Sequence, residues 1–121
     1  MSKSAISVLV FAVYLLVLGI ILVFEPNPLL ALFGIPATNE VWIRVVGMLV
    51  CLLSFYYFQA VRRELTEFFR WTVWARSSVI IFMAVFVAAG LVKWTIILFG
   101  VVDLLAAIWT GLALRQSKAA E

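Results

Sequence analysis

Five side chains in this sequence could do chemistry inside a membrane: Asp103, Arg44, Arg76, Glu25 and Tyr14. Asp103 is the only ionisable group in the apolar run from Thr95 to Leu114. A carboxylate near the middle of such a run costs about 2.5–3.5 kcal/mol on insertion scales, and a partner or a water-filled cavity usually offsets it. Arg44 and Arg76 offer guanidiniums, Glu25 a second carboxylate, and Tyr14, Tyr56 and Tyr57 hydroxyl donors. The chain has no His and a single cysteine, Cys51. That excludes a Cys/His zinc site, an intramolecular disulfide, the usual His-ligated haem and a dithiol redox cycle within one chain. No metal or cofactor is expected. General acid–base work would fall to Asp103, Glu25 or a tyrosine, which makes an enzyme the weakest reading.

The elements that position these groups follow from composition. Of 121 residues, 67% are hydrophobic and 12% charged. A soluble domain is closer to half apolar and a quarter charged, so lipid must be the solvent for the long apolar runs. Four runs are long enough to span: residues 5–24, 41–60, 72–92 and 95–114. The expectation is one all-α domain, 1–121, an integral membrane four-helix bundle. The first run is read as a retained span, because it is longer than a signal-peptide core and no A-x-A-like site follows it.

Between spans one and two, residues 25–40 hold all three prolines. Asn27 before Pro28 is a helix-start signal, and Gly34 with Pro36 a stop signal. The apolar stretch between them is too short to cross a bilayer and reads as a lid-like helix lying in the interface. In span one, Ser7, Phe11, Tyr14, Leu18, Ile21 and Glu25 share a face. Span two carries Arg44, Gly47, Cys51 and Ser54 at 3-4-3 spacing, and span four matches it with Gly100, Asp103, Ala107 and Thr110. Small and polar residues in such stripes suit helix–helix contact, so the two stripes are expected to face each other. In span three the expected seam is Ser77, Ile81, Ala84 and Ala88. Only residues 90–94 separate spans three and four, which makes them an antiparallel hairpin.

Helical rise sets the depths. At about 1.5 Å per residue, Asp103 lies about 12 Å below the outer end of its span, Arg44 about 5 Å and Arg76 about 24 Å. The vertical gap to Asp103 is then about 7 Å for Arg44 and about 12 Å for Arg76. Arg44 is the expected partner, and Arg44→Ala is expected to destabilise more than Arg76→Ala. Arg76 reads instead as a flank residue whose long side chain snorkels outward. An Asp–Arg pair of this kind marks a site or only fixes packing register. Glu25 equally reads as the headgroup-level end of span one, Cys51 as a small packing residue, and Trp42, Trp71, Trp74 and Trp94 as interfacial-belt residues.

Charge distribution gives the orientation. Lys3, Arg62, Arg63, Arg70, Arg76, Arg115 and Lys118 would lie on one side, and only Arg44 and Lys93 on the other. By the positive-inside rule both termini are cytoplasmic. The basic residues cluster at span ends, which reads as topology and not as nucleic-acid binding.

The Pro26–Pro36 segment with Phe33-Gly34, Trp42-x-Arg44-x-x-Gly47, Phe69-Arg70-Trp71-Thr72 with Arg76, and Gly100-x-x-Asp103 together resemble the DoxX-like group of small bacterial four-helix membrane proteins. The likeness covers nearly the whole chain. It implies a multi-pass protein of the bacterial inner membrane, in a group sometimes associated with quinone-linked or sulfur-linked oxidoreductases. The absence of a cysteine pair speaks against a thiol-redox version.

Three functional readings stay open. The first is a binding or accessory protein that holds a lipophilic ligand, a lipid or quinone, beneath the interfacial helix, with Asp103, Arg44, Arg76, Glu25 and Tyr14 as its polar groups. The second is a small proton-coupled transporter working as a homo-oligomer. It resembles the small multidrug-resistance exporters in span number, but the middle of span one is neutral here. The third is a structural subunit of a larger membrane complex.

Overall fold

The computed structural model describes the backbone of residues 1–120 and the side chains of residues 1–116, so the Lys118 side chain of the charge pattern lies outside it. The chain forms α1 (Lys3–Phe24), α2 (Pro26–Leu32), α3 (Val41–Arg62), α4 (Thr66–Ala88), a 3-10 turn (Trp94–Ile96) and α5 (Ile97–Ala120). Helices α1, α3, α4 and α5 are long and apolar enough to cross a membrane, which marks a multi-pass membrane protein. The termini and the α3–α4 turn share one end of the bundle. Helix α2 and the α4–α5 turn share the other.

Three helices end in the same way. After α2, the Gly34 N–H bonds to Ala31 O and the Ile35 N–H to Leu30 O. After α4, Gly90 bonds to Val87 O and Leu91 to Phe86 O. These are Schellman motifs, and the left-handed residue each needs is Gly34 (φ 67°) or Gly90 (φ 76°). The third follows α3, where Glu64 bonds to Val61 O and Leu65 to Ala60 O. The left-handed position there is Glu64 itself, at φ 50°. Its carboxylate accepts from the Ser2 N–H (2.9 Å) and Ser2 Oγ (2.7 Å), tying the N-terminus to the α3–α4 turn.

These stops correct two expected boundaries. The α3–α4 connection shrinks to residues 63–65, and Glu67–Trp71 become the first turns of α4. At its other end α4 stops at Ala88, because Gly90 leaves the right-handed helix two residues on. The start of α2 also shifts. Pro26 is its first residue, and the Asn27 side chain, expected to cap it, accepts instead from the Thr38 N–H at 2.9 Å and tethers the α2–α3 loop.

Helix α1 is central and the most buried of the four long helices. It packs on α3 and on α5, and α4 packs on α5. Glycines set these approaches. A Cβ on Gly19 would lie 2.5 Å from Cys51 Sγ and 2.9 Å from Gly47 O, and one on Gly47 would lie 2.8 Å from Val23 N. On the other side a Cβ on Gly100 would lie 2.9 Å from the Ile80 Cα. So the Gly47–Cys51 stripe faces α1 and Gly100 faces α4. Gly47 and Gly100, whose stripes were expected to meet each other, are each packed on a different neighbour.

The seam expected in α4 is also corrected. Ile81, Ala84 and Ala88 are exposed, and the inward face is Phe69, Thr72, Arg76, Val79 and Met83. All five of the latter lie about one helical turn apart, but the stripe of small residues in α4 faces outward.

With α3 drawn to α1 and α4 drawn to α5, direct contact between α3 and α4 is sparse although a three-residue turn joins them. At the termini end the space is filled by the core cluster of Ala5, Val8, Phe11, Ala12, Tyr57, Ala60, Val61 and Phe69. At the α2 end it stays open.

Candidate functional site

The opening at the α2 end is a cavity of about 350 Å³. Its walls come from Leu15, Leu18 and Leu22 of α1, Ile43, Val46, Val50 and Leu53 of α3, Val79 and Met83 of α4, and Ile96 and Phe99 at the start of α5. Leu29, Leu30 and Ile35, from α2 and its C-terminal turn, form the roof. Two polar residues line it, Tyr14 and Asp103. That volume and composition are those of a small apolar ligand pocket with few oriented polar groups.

Local bonds hold the roof. Phe33, at the end of α2, stacks on Phe99 of α5 with ring centroids 4.2 Å apart. The Thr95 hydroxyl donates to the Phe33 carbonyl. Leu30 is buried beneath, while Leu32 on the opposite face is 80% exposed. A seven-residue helix has little stability of its own, so this pinning to α5 and the Schellman turn at Gly34 keep it over the cavity.

Below the cavity, toward the termini end, lies Arg76, which is 2% exposed. Its Nε donates to Thr72 O (3.2 Å), and its Nη2 to Thr72 Oγ1 and Thr110 Oγ1, both at 2.9 Å. The guanidinium carbon sits 4.8 Å from the Phe11 ring centroid, a cation–π distance. The direction of this network is fixed by proton count, since each hydroxyl has one hydrogen. Thr72 Oγ1 spends its hydrogen on Phe69 O and Ser7 Oγ on Ser4 O, both at 2.7 Å. Thr110 therefore accepts from Arg76 and donates to Ser7 at 2.7 Å. Every proton runs outward from the guanidinium through neutral groups.

This overturns the expected reading of Arg76. It does not snorkel to the bundle end but is buried among α1, α4 and α5. The expected Asp103–Arg44 pair is not formed either. Arg44 is exposed and donates through Nη1 to the Val23 and Phe24 carbonyls, the second at 3.3 Å. A cation on the last carbonyls of a helix complements its dipole, so Arg44 caps α1. It borders a separate groove on the outer side of α1 and α3, with Ile20, Val45, Met48 and Leu52. Depth alone favoured Arg44, but depth says nothing about azimuth. The contact of α3 with α1 turns Arg44 away from Asp103.

Among the described residues Asp103 has no ion pair within 4.0 Å and no hydrogen bond. The charged side chain within electrostatic range of it is Arg76. Tyr14 and Tyr57 are also within range of Asp103, and Tyr57 within range of Arg76. Glu25 is exposed at the α1–α2 junction and is not brought to the cavity. Of the five candidates the structure thus gathers Tyr14, Asp103 and, just beneath them, Arg76. Thr72 and Thr110 complete the set. Thr72 was legible as the residue one turn before Arg76, where a threonine can meet an arginine on the same face. Thr110 was legible as a member of the Gly100–Asp103–Ala107–Thr110 stripe, though not as a partner of Arg76.

Trp42, Trp71, Trp74 and Trp94 are all strongly exposed; Trp42 and Trp94 lie at helix starts, as belt residues do, whereas Trp71 and Trp74 fall in the second and third turns of α4, because that helix begins at Thr66. Cys51 packs against Gly19, and no cluster of His, Cys, Asp and Glu able to hold a metal occurs among the described residues. Neither protein-family profiles, nor curated proteins, nor solved structures match this chain.

Proposed function

We propose that this protein is a membrane binding or accessory protein that holds a lipophilic small molecule, a lipid or quinone, in the cavity beneath α2. The observation that carries this reading is the about 350 Å³ apolar cavity with Asp103 and Tyr14 on its wall and α2 as its roof. Lipid-facing helix packing does not require such a space, and polar residues are costly there unless they serve. The sparse contact between α3 and α4 offers a side entrance from the bilayer. In this reading the protein sits in a bacterial inner membrane as a DoxX-like bundle. Both termini are cytoplasmic, and α2 lies in the outer interface.

The test is occupancy. Protein purified in mild detergent should carry a stoichiometric lipophilic molecule, detected by extraction and mass spectrometry. Val46→Trp, which fills the cavity from α3, should lose it. Equal recovery from both proteins would sink the reading. Orientation is checked separately: a cysteine placed at Thr38 in a Cys51→Ala background should react with an impermeant maleimide from outside the cell.

A buried guanidinium, Arg76, and a cavity-lining carboxylate, Asp103, with no ion pair between them among the described residues, favour a second reading, a proton-coupled transporter acting as an oligomer. Proton flux into vesicles that vanished in Asp103→Asn would decide for it. A structural subunit would instead co-purify with a larger complex and carry no bound molecule.

A further inference from the structure

The groove on the outer side of α1 and α3 shares no lining residue with the cavity beneath α2. Its origin is the glycine contact. The two helices touch where Gly19 meets Gly47 and Cys51, and larger apolar side chains stand on either side of that line. Ile20 and Val23 of α1 and Val45, Met48 and Leu52 of α3 form the banks of an open channel of about 460 Å³. From Arg44 to Leu52 it follows α3 for about 12 Å. Arg44 is the one charged residue among those that line it.

An apolar face in a membrane ordinarily meets lipid chains with no preference among heads. Here a guanidinium is fixed at one end of the channel. Arg44 Nη1 is held by the Val23 and Phe24 carbonyls. Its Nε and Nη2 make no hydrogen bond among the described residues, and no carboxylate there lies within 4.0 Å of it. These two nitrogens share one edge of the planar group, a fork that matches two oxygens of a phosphate. Trp42, two residues earlier and strongly exposed, marks the headgroup level. A fork with two donors to spare thus sits at headgroup level, at the mouth of a channel shaped for a chain.

Charge narrows the occupant. Glu40, one turn before Arg44, and Glu25, next to Phe24, do not line the groove, and no second basic residue does. One cation matches one phosphodiester, whereas a head with two phosphates would leave one unpaired.

We propose that this groove is a phospholipid site. A diacyl glycerophospholipid sets its single phosphodiester on Nε and Nη2 of Arg44 and lays one chain between α1 and α3 toward Leu52. The second chain stays in the bilayer. This site is independent of whatever the cavity beneath α2 holds.

Two probes with the same chains test this: dioleoylphosphatidylglycerol, and dioleoylglycerol, which lacks the phosphate. Each is presented at equal concentration to the detergent-solubilised protein and counted by native mass spectrometry. The wild-type protein should retain the phospholipid about three- to tenfold over dioleoylglycerol, between the worth of an exposed ion pair and that of a charge-assisted hydrogen bond. Arg44→Gln should erase the preference. Met48→Trp, which fills the groove from an exposed position, should lower phospholipid retention. Leu49→Trp, an exposed neighbour outside the groove, and Val46→Trp, which fills the cavity, should not. Equal retention of the two lipids by the wild type, or an unchanged preference in Arg44→Gln, overturns the phosphate assignment. Undiminished retention in Met48→Trp, or a loss in Leu49→Trp or Val46→Trp equal to that in Met48→Trp, overturns the groove as the site. The cavity reading fails on a different result, the recovery of its own ligand from Val46→Trp.

Discussion

The two ends of the bundle use the same kinds of residue to opposite effect. At the termini end, Arg76 is buried and its hydrogen bonds run to Thr72, Thr110 and, through Thr110, to Ser7. Aromatic rings close around it, with Tyr57 edge-on to Phe68 at 5.4 Å and tilted toward Phe11 at 5.9 Å. At the α2 end, Arg44 is exposed and holds only backbone carbonyls at a helix terminus. One arginine is part of the core and the other trims a helix end. The difference comes from what the helices do around each. Near the termini the small residues Ala5, Ser7, Ala12 and Ala60 are buried between the helices and aromatic rings fill the rest. At the other end α3 and α4 are pulled apart by their separate partners, which leaves a cavity instead of a core.

The largest expected break of this contrast is Arg76→Ala. It removes a buried side chain, takes one donor from the Thr110 and Thr72 hydroxyls and opens a void, and should lower stability by about 2–4 kcal/mol. Arg44→Ala should cost about 0.3–1 kcal/mol, as for a cation at an exposed helix end. This reverses the order expected from depth, and unfolding of both variants in mixed detergent checks it. If Arg44→Ala cost as much as Arg76→Ala, the two ends would not differ as described.

Next in size is the α1–α3 contact. Gly47→Ala places a Cβ against the α1 backbone, and the helices must separate. A loss of about 1–3 kcal/mol is expected from such overpacking, read from the same unfolding curves. Gly100→Ala should behave similarly for α4 and α5. Gly111→Ala, whose added Cβ would meet only a Val73 methyl at an ordinary 3.8 Å, should cost nothing or gain slightly.

Thr110→Val sharpens the network itself. It keeps the shape, removes one acceptor from Arg76 and one donor to Ser7, and should cost about 1–3 kcal/mol. An effect within error would mean that Arg76 is held by Thr72 and Phe11 alone.

The smallest effect belongs to Glu64. The Ser2 hydroxyl and then the Ser2 N–H hold its carboxyl below the ordinary carboxylate value. A depressed folded-state value means that the contribution is present above the unfolded value and is lost as pH falls through the folded one. Glu64→Gln should therefore flatten the acid side of the stability profile without changing it at neutral pH by much. Glu64→Gly trades the Ser2 tether for relief of the left-handed backbone, and the two should nearly cancel. A large acid-side difference between wild type and Glu64→Gln would show that the exposed tether contributes more than solvent screening allows.

Several features were readable residue by residue. The four spans are fixed by run length, because a helix must satisfy its own backbone in lipid and about twenty apolar residues cross it. Gly34 announces its turn because the left-handed position at a Schellman stop penalises a Cβ, whereas Gly90 was expected inside span three. Asp103 stood out because an ionisable group in an apolar run is expensive. Glu64 escaped notice for the converse reason: a residue with a Cβ gives no sign of left-handed backbone.

What the sequence by itself determined, then, is class, spans, turns and the short list of polar residues. These follow from local rules of period, length and cost that need no neighbour. What only the tertiary structure decided is which of those residues meet. Gly47 and Gly100 each carry a stripe fit for close packing, and nothing local says that one takes α1 and the other α4. That choice turns Arg44 outward, buries Arg76 beside Thr110, and leaves Asp103 facing an open cavity. Helix depth is a one-dimensional quantity written in the chain. The rotation of each helix about its axis is set by contacts with other helices, and it is this rotation that brought Asp103, Tyr14 and Arg76 together.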